Sequence, residues 1–108
     1  LYGKLYGNNV PAFVVAAIMG DVGVVEYCLG SGNHPDLNSC DHHIPALHAA
    51  VESGQNEIVR VLLGAGANIN LTYQEKTALS IAMSRNNLDL VRMFLSNKNF
   101  DWRKNDLV

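Results

Sequence analysis

One tryptophan, three prolines and two cysteines are spread through 108 residues, and no apolar run approaches membrane-spanning length. Two cysteines, Cys28 and Cys40, are too few for a disulfide scaffold and point to a reducing compartment. The longest apolar run, Ala12 to Met19, falls far short of the ~20 residues a bilayer span needs. A secretory signal is also missing: Pro11 interrupts the start of that run, and nothing after Gly20 resembles a cleavage site. Charge of either sign is scarce, 17% of residues with net −2 and pI near 6.0, so no bulk field draws the chain to nucleic acid or anionic lipid. The first residue is Leu1 rather than methionine, which suggests a fragment or a trimmed chain.

Apolar residues, by contrast, make up 48% of the chain, and mean hydropathy is +0.04. A single domain of this size can bury about two-thirds of its unfolded surface, enough for a core without staples. The apolar residues recur with a long period. Pro11-Ala12-Phe13-Val14-Val15-Ala16-Ala17 parallels Pro45-Ala46-Leu47-His48-Ala49-Ala50-Val51 and Thr77-Ala78-Leu79-Ser80-Ile81-Ala82-Met83. The offsets are 34 residues from Ala16 to Ala50 and 32 from Ala50 to Ala82. Val24-Val25, Ile58-Val59 and Leu90-Val91 match in the second half of each unit, as do Cys28-Leu29, Leu62-Leu63 and Phe94-Leu95. Within a unit these pairs fall at i, i+1, i+4 and i+5, one stripe of a helix, so the pattern predicts two short helices per unit and six in all.

Punctuation agrees with that division. Gly20, Gly54 and Asn86 fall where the first helix of each unit must close, and a left-handed cap residue is expected there. Asp21 and Asn87 follow as N-caps of the second helices, Thr77 caps the last unit's first helix, and Pro11 and Pro45 suit a first helical turn. Gly30, Gly32, Gly64 and Gly66 end the second helices, and turn-rich stretches run from Asn33 to His43 and from Asn68 to Gln74. No such unit could bury its stripe alone, so the units must stack.

A helix pair with a long turn, repeated near 33 residues, resembles the ankyrin repeat. The second unit carries the resemblance: Ala46-Leu47-His48-Ala49-Ala50, Gly54, then Glu57-Ile58-Val59-Arg60-Val61-Leu62-Leu63-Gly64-Ala65-Gly66-Ala67-Asn68-Ile69-Asn70. The resemblance covers residues 10 to about 101 and implies an all-α solenoid of three repeats, roughly 8–40, 41–72 and 73–104, within one domain or part of a longer array. Departures are Pro45-Ala46 in place of the family's Thr-Pro, Val14 and Ser80 in place of its histidine, a first turn two residues longer through His34-Pro35, and Lys98 in place of a turn glycine.

Chemistry-bearing residues do not assemble. Cys40, His42, His43 and His48 are the one metal-ligand cluster, but their spacing misses the zinc templates, and the resemblance gives His48 a structural role bonding turn backbone. Gly64-Ala65-Gly66 follows a helix instead of a strand, and Ser31 between two glycines fails as a nucleophile elbow for the same reason. No enzyme activity, metal or cofactor is expected.

What remains is binding. The resemblance implies a non-catalytic protein-interaction module presenting a concave groove and turn tips to another protein, inside the cell in cytoplasm or nucleus. The contact positions it implies are Asn8, Asn9, Ile18 and Met19, then His42, His43, Glu52 and Ser53, then Tyr73, Gln74, Lys76, Ser84 and Arg85. Arg85 and Tyr73 lead among them, since arginine and aromatic anchors dominate interfaces. The first helix is apolar all round, so a covering segment, such as residues 1–9 or a further repeat, is favoured over a partner; self-association through it is the alternative. Trp102 is expected to pack beneath the last helix, and Asn70 to bond its own turn, although it also resembles sites modified by an asparaginyl hydroxylase. Residues 1–54 carry net −4 and residues 55–108 net +2. Two rival readings follow: a structural spacer or cap of a larger protein, and a nucleic-acid binder using Lys98, Arg103 and Lys104.

Overall fold

A computed structural model describes residues 12–30, 37–38 and 44–105. Within them the chain forms six helices: α1 Ala12–Met19, α2 Val22–Gly30, α3 Ala46–Glu52, α4 Asn56–Gly64, α5 Ala78–Ser84 and α6 Leu88–Leu95. The odd-numbered helices form an inner row, the even-numbered an outer row, and each helix packs on its partner within a unit. Among the described residues the only strand-like pairing is a single bridge, Tyr73 to Lys76, at the tip of the turn before α5.

The repeated alanines explain both the turns and the stacking. Ala16, Ala50 and Ala82 each accept a backbone bond from the residue five places on, Asp21, Gln55 and Asn87, at 3.0, 2.9 and 2.9 Å. That closure needs a left-handed residue between, and Gly20, Gly54 and Asn86 supply it at φ 80°, 73° and 58°. Asp21 and Asn87 then cap the outer helices, accepting from Val24 and Leu90. Thr77 and Ser80 form a reciprocal capping box on α5. Pro45 sits at the N-cap of α3, not in its first turn, with extended ψ of 147°. Either place spares a hydrogen bond, because a proline has no N–H to lose.

Small side chains at Ala17, Ala46, Ala49, Ala50, Ala78 and Ala82, all buried, let inner helices approach more closely than outer ones. The inner helices are also shorter, 8, 7 and 7 residues against 9, 9 and 8. Larger residues fill the space between rows: Leu47, Ile58, Leu62, Leu79, Leu90 and Phe94 are fully buried. In α1, residues Phe13 to Ala17 are buried on every side, as a helix apolar all round must be. Ile18 is half-buried and Met19 exposed at its C-terminal end.

Two expectations at the ends of units need correction. Asn70 does bond Asn68 through its own N–H, but its side chain reaches the next unit. Its Oδ1 accepts from Asp101 N and Asn105 Nδ2, and its Nδ2 donates to Asn99 O at 2.8 Å. Trp102 is half exposed and stands edge-on against Phe100, which takes the buried place under the last helix. The loss of the turn glycine explains the difference. Lys98 does not take the left-handed conformation of Gly66, and Asn97 Oδ1 instead holds the turn by accepting from Asn99 N.

Gly20 is constrained twice over, by φ of 80° and by Gln55, whose side-chain oxygen lies 2.6 Å from where a Cβ would stand. Gln55 is too long to cap α4, and it donates instead to the Ile18 carbonyl of the preceding unit. Gly20→Ala should therefore cost about 1–3 kcal/mol. Adding Gln55→Ala should restore only part of that in chemical denaturation, because the backbone strain at residue 20 persists.

Candidate functional site

The inner side of the second and third units carries a group of exposed polar residues. The tip between them is a tight hairpin in which Tyr73 and Lys76 exchange backbone bonds of 2.9 and 3.0 Å. Its two central residues, Gln74 and Glu75, have φ of 51° and 66°. That geometry belongs to a type I′ turn, where Asn-Gly is the usual choice. Left-handed backbone costs such residues about 1 kcal/mol or more each.

The tip is held from below by His48. Its Nε2 donates to the Lys76 carbonyl at 3.0 Å, and the Tyr73 ring stands edge-on to the imidazole with centroids 6.1 Å apart. A carbonyl can only accept, so Nε2 carries the proton of the neutral ring. Nδ1 finds no partner of good geometry, although the Leu71 backbone gives the charged ring a weak favourable contact. Burial dominates and pushes the His48 pKa below its ordinary value of about 6.5.

Between this tip and the inner helices lies a concavity of about 580 Å³, lined by Glu52, Glu75, Lys76, Ser80, Ile81, Ser84 and Arg85. Arg85 ends α5 and reaches back to Glu52 of the preceding unit, 3.4 Å away, with both side chains half exposed. The same pair borders a second concavity of about 570 Å³ that contains Ser53, Gly54, Asn86 and Asn87. Two acids and two bases line the first concavity, so it is polar without a dominant sign.

Of the contact positions inferred from sequence, Glu52, Lys76, Ser84 and Arg85 come together in one concavity, and Ser53 adjoins them in the other. Gln74 is exposed at the tip, touching the Tyr73 hydroxyl, while Tyr73 is half-buried against His48. Ile18 and Met19 lie in the first unit at the equivalents of Glu52 and Ser53. Asn8, Asn9, His42 and His43 lie outside the described residues, as does Cys40. Sequence reasoning missed Glu75, Ser80 and Ile81 as lining residues. Ser80 stands where the second unit has buried His48, and that alignment was the available signal.

Among the described residues no cluster of three or more histidine, cysteine or acidic side chains could hold a metal, and no helix is long and apolar enough to cross a membrane. The arrangement offers hydrogen-bond donors, acceptors and fixed charges on a rigid frame.

The family model for ankyrin repeats matches residues 13–106 in three copies. The chain belongs to the ankyrin-repeat family. It is 33% identical over 88 residues to "Ankyrin repeat and KH domain-containing protein mask-1" of Caenorhabditis elegans, covering 80% of this chain and 3% of that protein. It is 36% identical over 83 residues to human "BCL-6 corepressor-like protein 1", covering 75% of this chain and 5% of that protein. The matched stretch is thus a small part of the length of these relatives. Ankyrin repeats are in general protein–protein interaction modules.

His48 of this ankyrin domain makes a pH-dependent contribution. The unfolded chain takes up a proton near pH 6.5, while the folded chain resists it. Stability is therefore full above about pH 6.5 and falls as pH drops below it. The melting temperature should decline more steeply between pH 7 and 5 in the natural chain than in His48→Gln, measured by circular dichroism.

Proposed function

We propose that this chain is a non-catalytic module that binds another protein along its concave inner side. The concavity shared by Glu52, Lys76, Ser84 and Arg85 carries this reading, because it joins residues from two repeats and a turn tip on one exposed surface. The frame beneath is rigid: Ala78, Ala82 and Leu79 are buried under the groove, and His48 fixes the tip. A partner therefore meets a surface that loses little conformational freedom on binding.

Arg85 is the centre of the proposed contact. Its pair with Glu52 is half exposed and its length of 3.4 Å is long for a charged hydrogen bond, so the guanidinium can exchange Glu52 for a partner's carboxylate or carbonyl. Tyr73 takes a supporting role, since its ring already packs on His48. Lys98, Arg103 and Lys104 are exposed, but Trp102 stands against Phe100, which favours a protein partner over a stacked nucleic acid. Two cysteines in 108 residues support a reducing compartment, cytoplasm or nucleus.

Arg85→Ala should weaken partner binding about tenfold or more, as for an arginine hot spot. Melting should shift by only a few degrees, because an exposed ion pair contributes about 0–1 kcal/mol. Titration of both chains against a protein that co-purifies with the natural one measures this. Equal affinity would remove Arg85 from the interface.

A further inference from the structure

Each repeat has a side that faces its successor. In the first two units that side is covered: Ala17 and Val51, which occupy one register position, are both 0% exposed. The equivalent residue of the third unit is Met83, and it is 55% exposed. Leu88 is 56% exposed where the second unit has half-buried Asn56, and Leu95 is 38% exposed where it has half-buried Leu63. Val91 keeps partial exposure where Val59 has none. Along α6, Leu88, Val91 and Leu95 stand at i, i+3 and i+7, a single stripe. The stripe is distinct from the filled side of the same helix, where Leu90 and Phe94 are wholly buried.

A repeat that terminates a stack needs a polar outer face for solubility. This one is apolar at four positions. We propose that the outward face of the third unit docks a further helix pair, in the register by which α3–α4 docks on α1–α2 and α5–α6 on α3–α4. The face continues an interface that occurs twice in this chain, and continuity defines the chemistry of its occupant. The incoming inner helix presents small residues, as α3 does with Ala46, Ala49 and Ala50 and α5 with Ala78 and Ala82. The incoming outer helix presents a large apolar pair, as Ile58 and Leu62 do in α4, and Leu90 and Phe94 in α6.

A symmetric pairing of two third units fits less well. A two-fold interface joins a patch to itself, whereas each junction here joins two chemically different patches. The long relatives leave ample chain for such a neighbour, since the matched stretch is only 3% and 5% of their lengths. The face shares no residue with the concavity lined by Lys76 and Ser84, and of its four apolar residues only Leu88 borders the second concavity beside Arg85, so the test rests on Met83, which lines neither.

The methionines provide the test. Residues 39–70 contain no methionine, and a copy of them joined after Asp101 places a fourth unit in register, since Asp101 follows the turn as Asn38 and Asn70 do. Peroxide oxidation mapped by mass spectrometry then compares Met83 with Met19, which is 56% exposed and serves as an internal reference. In the 108-residue chain the two should react at similar rates. In the extended chain Met83 should react at least fivefold more slowly than Met19, with one melting transition at higher temperature. An extension whose copied Ile58 is changed to Asp should return Met83 to the rate of Met19. Three results would overturn the proposal. One is an extended chain in which Met83 stays as reactive as Met19. Another is a fourth unit that adds no helical signal, because such a unit folds only by docking. The third is protection of Met83 in the unextended chain that grows with protein concentration, which assigns the face to a second copy.

Discussion

The burial of one helix pair against the next governs this molecule. Val51 and Ala17 are fully buried on inner helices that pack against the following unit, and Ile58, Leu62, Leu90 and Phe94 are fully buried on the outer row. Each pair is too small to enclose a core, so the free energy of folding resides in the junctions. Close approach of the inner helices requires alanine at the contact, and those alanines also accept the bonds that close their own helices. A larger residue at Ala50 would disturb a junction and a helix end together.

Polar bonds between units follow the same axis. Asn38 accepts from Asn68 N at 2.8 Å, Asn70 spans to Asp101 and Asn99, Gln55 reaches Ile18, and Asn87 donates to Asn56. Their individual contributions are modest, about 0.5–1.5 kcal/mol each. Their greater effect is on register, since each holds one turn at a fixed height above its neighbour. His48 does this for the Tyr73–Lys76 tip, which borders the groove.

The helices and their junctions were legible because they obey a local period that anyone can align: Ala16, Ala50 and Ala82, then Gly20, Gly54 and Asn86. Caps at Asp21, Thr77 and Asn87 were legible because a cap acts within three residues of itself. Asn70 was not. Its turn chemistry is visible in sequence, but its partners lie 29 to 35 residues away, and no local rule names them. Trp102 was misplaced because the last turn, with Lys98 in place of glycine, is held by Asn97 instead and leaves Phe100 as the buried ring. Of the site, Glu52, Ser84 and Arg85 were legible from alignment of inner-helix ends. Glu75 was not, because nothing in Gln-Glu signals a left-handed turn.

That turn is the place where the sequence departs from local preference, and the departure has a direction. Gln74 and Glu75 occupy backbone that glycine or asparagine would adopt at lower cost, and the rest of the structure over-determines it through the Tyr73–Lys76 bridge and His48. Strain of this kind concentrates where side chains serve a surface. Asparagine and glycine would relax the turn but withdraw two long polar side chains from the edge of the groove, Glu75 among its lining. Stability and contact are opposed at these two residues, so Gln74→Asn with Glu75→Gly should raise the melting temperature by several degrees while lowering affinity for the partner. Thermal denaturation and partner titration on the same protein measure both. A variant that gained stability and kept full affinity would show the tip to be outside the interface, leaving the inner helices to bind alone.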